Sequence, residues 1–126
     1  MRQLISSGAP WETIVGYSRA VRVGNVVEVA GTTAQDGATI TGLDAYTQAK
    51  RILEKIGLAF REAGAGYQHV VRTRIYLTDI NDWEAVGRAH GEVFSAIRPA
   101  STMLEVKALI DPRLLVEMEA TAIILD

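Results

Sequence analysis

Glu117 and Glu119 stand two residues apart in a segment of alternating polarity, so their carboxyls leave an extended strand on the same side. Like charges that close repel, and where they are partly buried one carboxyl keeps its proton toward neutrality, ready to donate it or to activate water. The plain alternative is ion pairing with Arg72 and Arg74 of a neighbouring strand, since structural ion pairs outnumber catalytic carboxylates. Tyr17 follows Gly16 ahead of a β-rich run; its phenol can hold a carbonyl, its ring can cover a pocket, or it can simply pack. Arg98 precedes Pro99, which restricts its backbone, and its guanidinium can fork a carboxylate or remain a solvated loop charge. Ser101 and Thr102 offer hydroxyls to a ligand, but no His or Asp is placed by a motif to make either a nucleophile.

Composition narrows the chemistry. The 126 residues, 48% hydrophobic and 22% charged, suit one domain over 1–126 with one core. With no Cys and only His69 and His90, neither a metal site nor any other cofactor is expected. A net charge of −2, with no run among the 13 Lys and Arg, speaks against a nucleic-acid partner. No apolar run approaches the roughly 20 residues of a membrane span, and the first residues lack a signal-peptide core, so a cytoplasmic chain without a membrane partner is expected.

The elements that must carry these residues read clearly. Ser18 to Val23 and Val26 to Ala30 form a hairpin across Gly24-Asn25. Asp36 to Gly42 reads as a loop, and Asp44 to Ala63 as a helix whose apolar stripe runs from Ala45 to Ala63, with Gly64 at its end. Val70 to Thr78 alternates, with Val71, Thr73, Ile75 and Leu77 opposite Arg72, Arg74 and Tyr76. A second helix begins near Asn81, capped with Glu84, and turns Trp83, Val86, His90, Val93, Phe94 and Ile97 inward. Within it Gly87 and Gly91 each cost about 1 kcal/mol relative to Ala, which predicts a close backbone approach on their shared face. Met103 to Lys107 and Leu114 to Ile124 are the last strands. The order β-β-α-β-α-β-β predicts an α+β fold, a mixed sheet with helices on one face and its other face, carrying Arg and Glu among apolar residues, turned toward other subunits.

The run RPASTMLEVKALIDPRLLVEMEATA, Arg98 to Ala122, resembles the carboxy-terminal signature of the Rid family, the YjgF-type reactive-intermediate deaminases. Ile14 to Tyr17 followed by Val21 to Asn25, Ala30-Gly31-Thr32, and VVRTRIYLTD from Val70 to Asp79 resemble its other segments, so the likeness spans about Tyr17 to Ala122. It implies a chorismate-mutase-like α+β domain that closes into a homotrimer with small-molecule clefts between subunits. Glu117 then matches the family's cleft carboxylate and Tyr17 its cleft tyrosine, while Glu119 is left structural. Deaminating members carry Pro-Ala-Arg-Ser where this chain has Pro99, Ala100, Ser101 and Thr102, and Gly87 stands where they tend to carry a ligand-contacting Asn.

The resemblance therefore implies a cleft acting on or binding a small metabolite, with enamine or imine hydrolysis possible in chemistry and deamination of 2-imino acids weak or absent. Glu117 would be catalytic, and Tyr17, Arg98, Ser101 and Thr102 would bind substrate. A non-catalytic metabolite-binding or regulatory trimer is the alternative, and an endoribonuclease or translation inhibitor is disfavoured by the acidic balance.

Overall fold

A computed structural model describes residues 1–125. Ten strands and helices matter: β1 (Arg2–Ile5), β2 (Ala20–Val23), β3 (Val26–Thr32), β4 (Gln35–Asp36), β5 (Thr39–Ile40), α1 (Ala45–Glu62), β6 (Val70–Leu77), α2 (Trp83–Phe94), β7 (Ala100–Glu105) and β8 (Val116–Ile123). Six strands make one sheet in the order β1-β2-β3-β8-β6-β7. All neighbours are antiparallel except β6 and β7, which run parallel because α2 carries the chain back between them. The expected α+β architecture is the one observed.

Both helices cover one face. Ala49, Ile52, Leu53, Ile56 and Phe60 of α1 and Val86, Ala89 and Phe94 of α2 are buried against Val27, Val29, Ile75, Leu77, Met118 and Ala120 of the sheet. Each large apolar side chain so buried contributes about 1.5–3 kcal/mol relative to exposure. The Asp44 side chain caps α1 by accepting from the Thr47 N–H at 3.0 Å, and Gly64 follows its end at φ 84°. Gln48 of α1 ties the helix to the approach of β8: its amide nitrogen donates to the Arg113 carbonyl at 3.0 Å and its oxygen accepts from the Leu115 N–H at 2.8 Å.

β8 follows its expected alternation, with Val116, Met118, Ala120 and Ala122 buried and Glu117, Glu119 and Thr121 on the face without helices. Other expectations need correction. Val71 does not share the inner face of Thr73: the β6–β8 register shifts between Val70 and Arg72, and the bulge leaves Val71 exposed. Trp83 is 54% exposed rather than inward. The cap near α2 comes from Asp79, which accepts from the Asn81 N–H at 2.9 Å, after which residues Ile80–Asp82 make a tighter turn before the helix. A Cβ on Gly87 or Gly91 would meet nothing within 4 Å, so no close approach inside the chain explains these glycines. β1 and the small β4–β5 hairpin, inside the stretch expected to be loop, were not legible because both are short and lack a clear period.

Candidate functional site

The helix-free face carries Glu117. The β3–β8 register shifts between Val29 and Thr32, placing Ala30-Gly31 at an irregularity directly beside it. A Cβ on Gly31 would collide with Glu117 Oε2 and lie 3.1 Å from Cδ, so the absence of a side chain at 31 is what lets the carboxyl lie flat on the strand. Burial pushes the Glu117 carboxyl above the usual carboxylate range; Arg19 opposes that shift and Glu119 adds to it.

The expected pairing of both glutamates with Arg72 and Arg74 holds for one only. Glu119 pairs with Arg74 at 3.7 Å and accepts from the Tyr76 hydroxyl at 2.8 Å, the structural role expected for it. Glu117 forms no ion pair or hydrogen bond among the described residues, and Arg72 donates instead to the Thr102 hydroxyl at 2.5 Å.

Tyr17 reaches this neighbourhood through a wide helical turn, Glu12–Gly16, closed by its own N–H on the Glu12 carbonyl at 3.0 Å and released by Gly16 at φ 88°. Its ring lies 5.8 Å from the Arg19 guanidinium carbon. Arg19 in turn donates through Nη2 to the Gly31 carbonyl, so Tyr17, Arg19, Gly31 and Glu117 form one contiguous cluster. Beside it a concavity of about 780 Å³ is lined by Leu4, Glu12, Tyr17, Val21, Arg74 and Glu119. Glu12 is buried and already served: Ser6 Oγ donates at 2.8 Å, the Ser7 N–H at 3.1 Å, and the Ser7 hydroxyl donates as well. Despite burial, those bonds and Arg19 hold its carboxyl below the usual range.

The remaining candidates lie elsewhere. Ser101 pairs in register with Thr73 and turns toward the helices, where Thr73 Oγ1 lies 2.8 Å from Ser101 Oγ and 2.9 Å from His90 Nε2. No motif predicted this link, yet it connects an exposed hydroxyl to a half-buried imidazole through a threonine that is 2% exposed. Burial holds His90 below its ordinary value, which favours the neutral imidazole in its bond to Thr73. Arg98 is exposed and sits at φ 57°, its N–H closing α2 on the Phe94 carbonyl at 2.7 Å.

Glu117 opposes Tyr76, and Tyr76 opposes Leu104, so β7 lies two strands, about 10 Å, from Glu117. Within one chain the five candidates thus divide into Tyr17 with Glu117, and Arg98 with Ser101 and Thr102. Sequence reasoning missed Arg19, Gly31, Thr73 and His90 as site residues. Arg19 was accessible from its i+2 spacing after Tyr17, and Gly31 from its position inside a strand.

No group of three or more His, Cys, Asp or Glu that could hold a metal occurs among the described residues, and no helix there is long and apolar enough to cross a membrane.

The sequence matches the family described as Endoribonuclease L-PSP over residues 7–124. An uncharacterised protein of Streptomyces coelicolor is 44% identical over 94% of this chain and 89% of its own length. The 2-iminobutanoate/2-iminopropanoate deaminase of Homo sapiens is 32% identical over 98% of this chain and 90% of its own. The crystal structure of a YjgF/YER057c/UK114 family member from Mycobacterium tuberculosis superposes with a TM-score of 0.92 at 49% identity, covering 98% of this chain and 100% of that one.

Proposed function

We propose, from the premise that this chain belongs to the YjgF/RutC (Rid) family, that it acts on small enamine or imine intermediates at a site centred on Glu117. The observation that carries the reading is the Glu117 carboxyl itself: half-buried, unpaired, and held against Gly31 by the lack of a side chain there. Buried charge without a partner is costly, so a carboxyl kept this way is poised to exchange a proton rather than to stabilise the fold.

The chemistry balances with this group alone. With the imine nitrogen protonated, ionised Glu117 takes a proton from water as its oxygen adds to the iminium carbon, giving a neutral carbinolamine. The same carboxyl returns that proton to nitrogen, then takes the hydroxyl proton as the C–N bond breaks and passes it to the departing ammonia, leaving a carbonyl compound and ammonium.

A homotrimer with its clefts between subunits is part of the same proposal. The helix-free sheet face, with exposed Leu4, Trp11, Ile14 and Val15 near Tyr17, supports burial against further copies, and it would bring the Arg98–Thr102 segment of one subunit toward the Glu117 cluster of the next. With Ser101 where deaminating members carry Arg, that segment lacks a charge-assisted fork for a substrate carboxylate, a loss of about 2–4 kcal/mol of binding. Hydrolysis of short 2-imino acids is therefore expected to be weak. The net charge of −2 argues against ribonuclease action as the main activity, and a cytoplasmic setting suits a chain without Cys.

The test is hydrolysis of 2-iminobutanoate generated in the assay. Ser101→Arg should raise the rate, and Glu117→Gln in the same background should abolish the gain. Unmodified protein turning over this substrate as fast as the human deaminase would overturn the argument from Ser101, and Glu117→Gln without effect would overturn the catalytic role. A protein that binds metabolites tightly but hydrolyses none would instead be the non-catalytic trimer.

A further inference from the structure

Arg19 is positioned as firmly as any residue at the site. Its backbone carbonyl accepts from the Ala30 N–H at 3.0 Å, which extends the β2–β3 pairing, and its side chain lies along the helix-free face to reach Gly31 and the Tyr17 ring. A guanidinium carries five N–H donors, and only one of them is used among the described residues. Nε is buried and bonds to nothing among the described residues. Arg19 also takes part in none of their ion pairs. The two carboxyls that feel its charge are Glu12 and Glu117, and Glu12 is already held by Ser6 and Ser7. A cation partly withdrawn from water with unused donors is completed by an incoming anion.

The other cations of this face are committed or distant from Glu117. Arg74 serves Glu119, Arg72 serves Thr102, Arg98 stands in solvent at the end of α2, and Arg2, which lines the same concavity, sits on the edge strand β1 opposite Val23, several strands from Glu117. We infer that Arg19 is the residue that grips a substrate carboxylate in this chain, on the Tyr17 side of Glu117. The inference rests on the reading of Glu117 as the reacting group. It relocates anion recognition from the β7 turn to the start of β2, with the Tyr17 ring flanking the ligand.

Calorimetric titration of the assembled protein with 2-oxobutanoate and 4-oxopentanoate, and with their methyl esters, tests this directly. These carbonyl probes place the carboxylate one and three bonds from the carbon that would have carried nitrogen. At least one acid should bind about tenfold or more tighter than its ester. Arg19→Gln should reduce that preference to near unity, Arg19→Lys should keep part of it, and Arg61→Gln, exposed on α1 away from the site, should leave it unchanged. Equal binding of acid and ester by the wild type, or no binding of either, overturns the inference. So does loss of the preference in Arg98→Gln but not in Arg19→Gln. If Arg19→Gln fails to fold, Arg19→Lys carries the test: an undiminished preference in that variant, where the fork is gone, counts against a forked contact. Imine hydrolysis separates the two readings. An Arg19-dependent preference with turnover indifferent to Glu117→Gln leaves this inference standing and removes the proposed function.

Discussion

Gly31 and Glu117 occupy one space between β3 and β8: the carboxyl of one lies where the side chain of the other would be. Gly31→Ala must therefore displace the Glu117 carboxyl, because the backbone of a central strand cannot yield. Because only the end of a flexible side chain has to move, we expect little change in stability by denaturant titration but loss of any turnover that depends on Glu117. An alanine variant with wild-type activity would show that the carboxyl works in another position.

The pH dependence of stability reports on Glu117 through its sign. Burial raises this carboxyl from the reference value of 4.5, so the folded chain holds its proton more tightly than the unfolded one. Above 4.5 and through the raised folded value, the folded form binds more protons, and stability falls as pH climbs through that window. Glu117→Gln removes the penalty. Its Tm should exceed that of the wild type near neutrality, and the gap should close on acidification below pH 4.5. A constant gap across the range would separate the effect from ionisation.

Thr73 bridges His90 and Ser101, and Thr73→Val keeps its shape while deleting the hydroxyl. The half-buried imidazole loses its partner, at a cost of about 1–3 kcal/mol measured by chemical denaturation, and Thr73→Ser should recover most of it. Because burial lowers His90 from 6.5, the unfolded chain binds more protons below that value. The stabilisation from a neutral His90 is thus complete above 6.5 and lost as pH falls through the lower folded value.

Arg98 adopts the left-handed conformation that ends a helix, where glycine is the usual occupant. The strain for a residue with a Cβ is about 1–2 kcal/mol, offset by the greater unfolded entropy of glycine, about 0.5–1 kcal/mol. Arg98→Gly should accordingly stabilise the protein by roughly 0.5–1 kcal/mol in thermal melts. A loss of stability would mean that the Arg98 side chain makes a contact worth more than the strain, such as one to another subunit.

The sheet and helices were legible because α1 and β8 each carry one long, unbroken period, and β6 keeps one from Thr73 onward. Reading failed where a single irregularity interrupts that period. The bulge at Val70–Arg72 turned Val71 outward, and Asp79, lying before the tight turn at Ile80, displaced Asn81 as cap. At the site, residue types pointed to Glu117 and Tyr17, which do lie near one another. The residues that connect them, Arg19 and Gly31, signal only through spacing and through a missing side chain. Ser101 was read as a cleft residue, and its bond to Thr73 comes from the parallel register of β6 and β7, which no local pattern encodes.

β8 lies between β3 and β6 although it follows every other element in the chain. Until it is available, the strands emerging from the ribosome can form only two separate fragments, a β1–β2–β3 meander and a β6–β7 pair, each showing an unpaired edge to the cell. The fold is therefore completed in one late event that joins contacts distant in sequence, and during synthesis at about 5–20 residues per second those edges are open for seconds. A chain shortened before Val116 should be not a weakened version of this protein but a pair of sticky sheet fragments, and chaperone dependence should be greatest in the moments before β8 arrives.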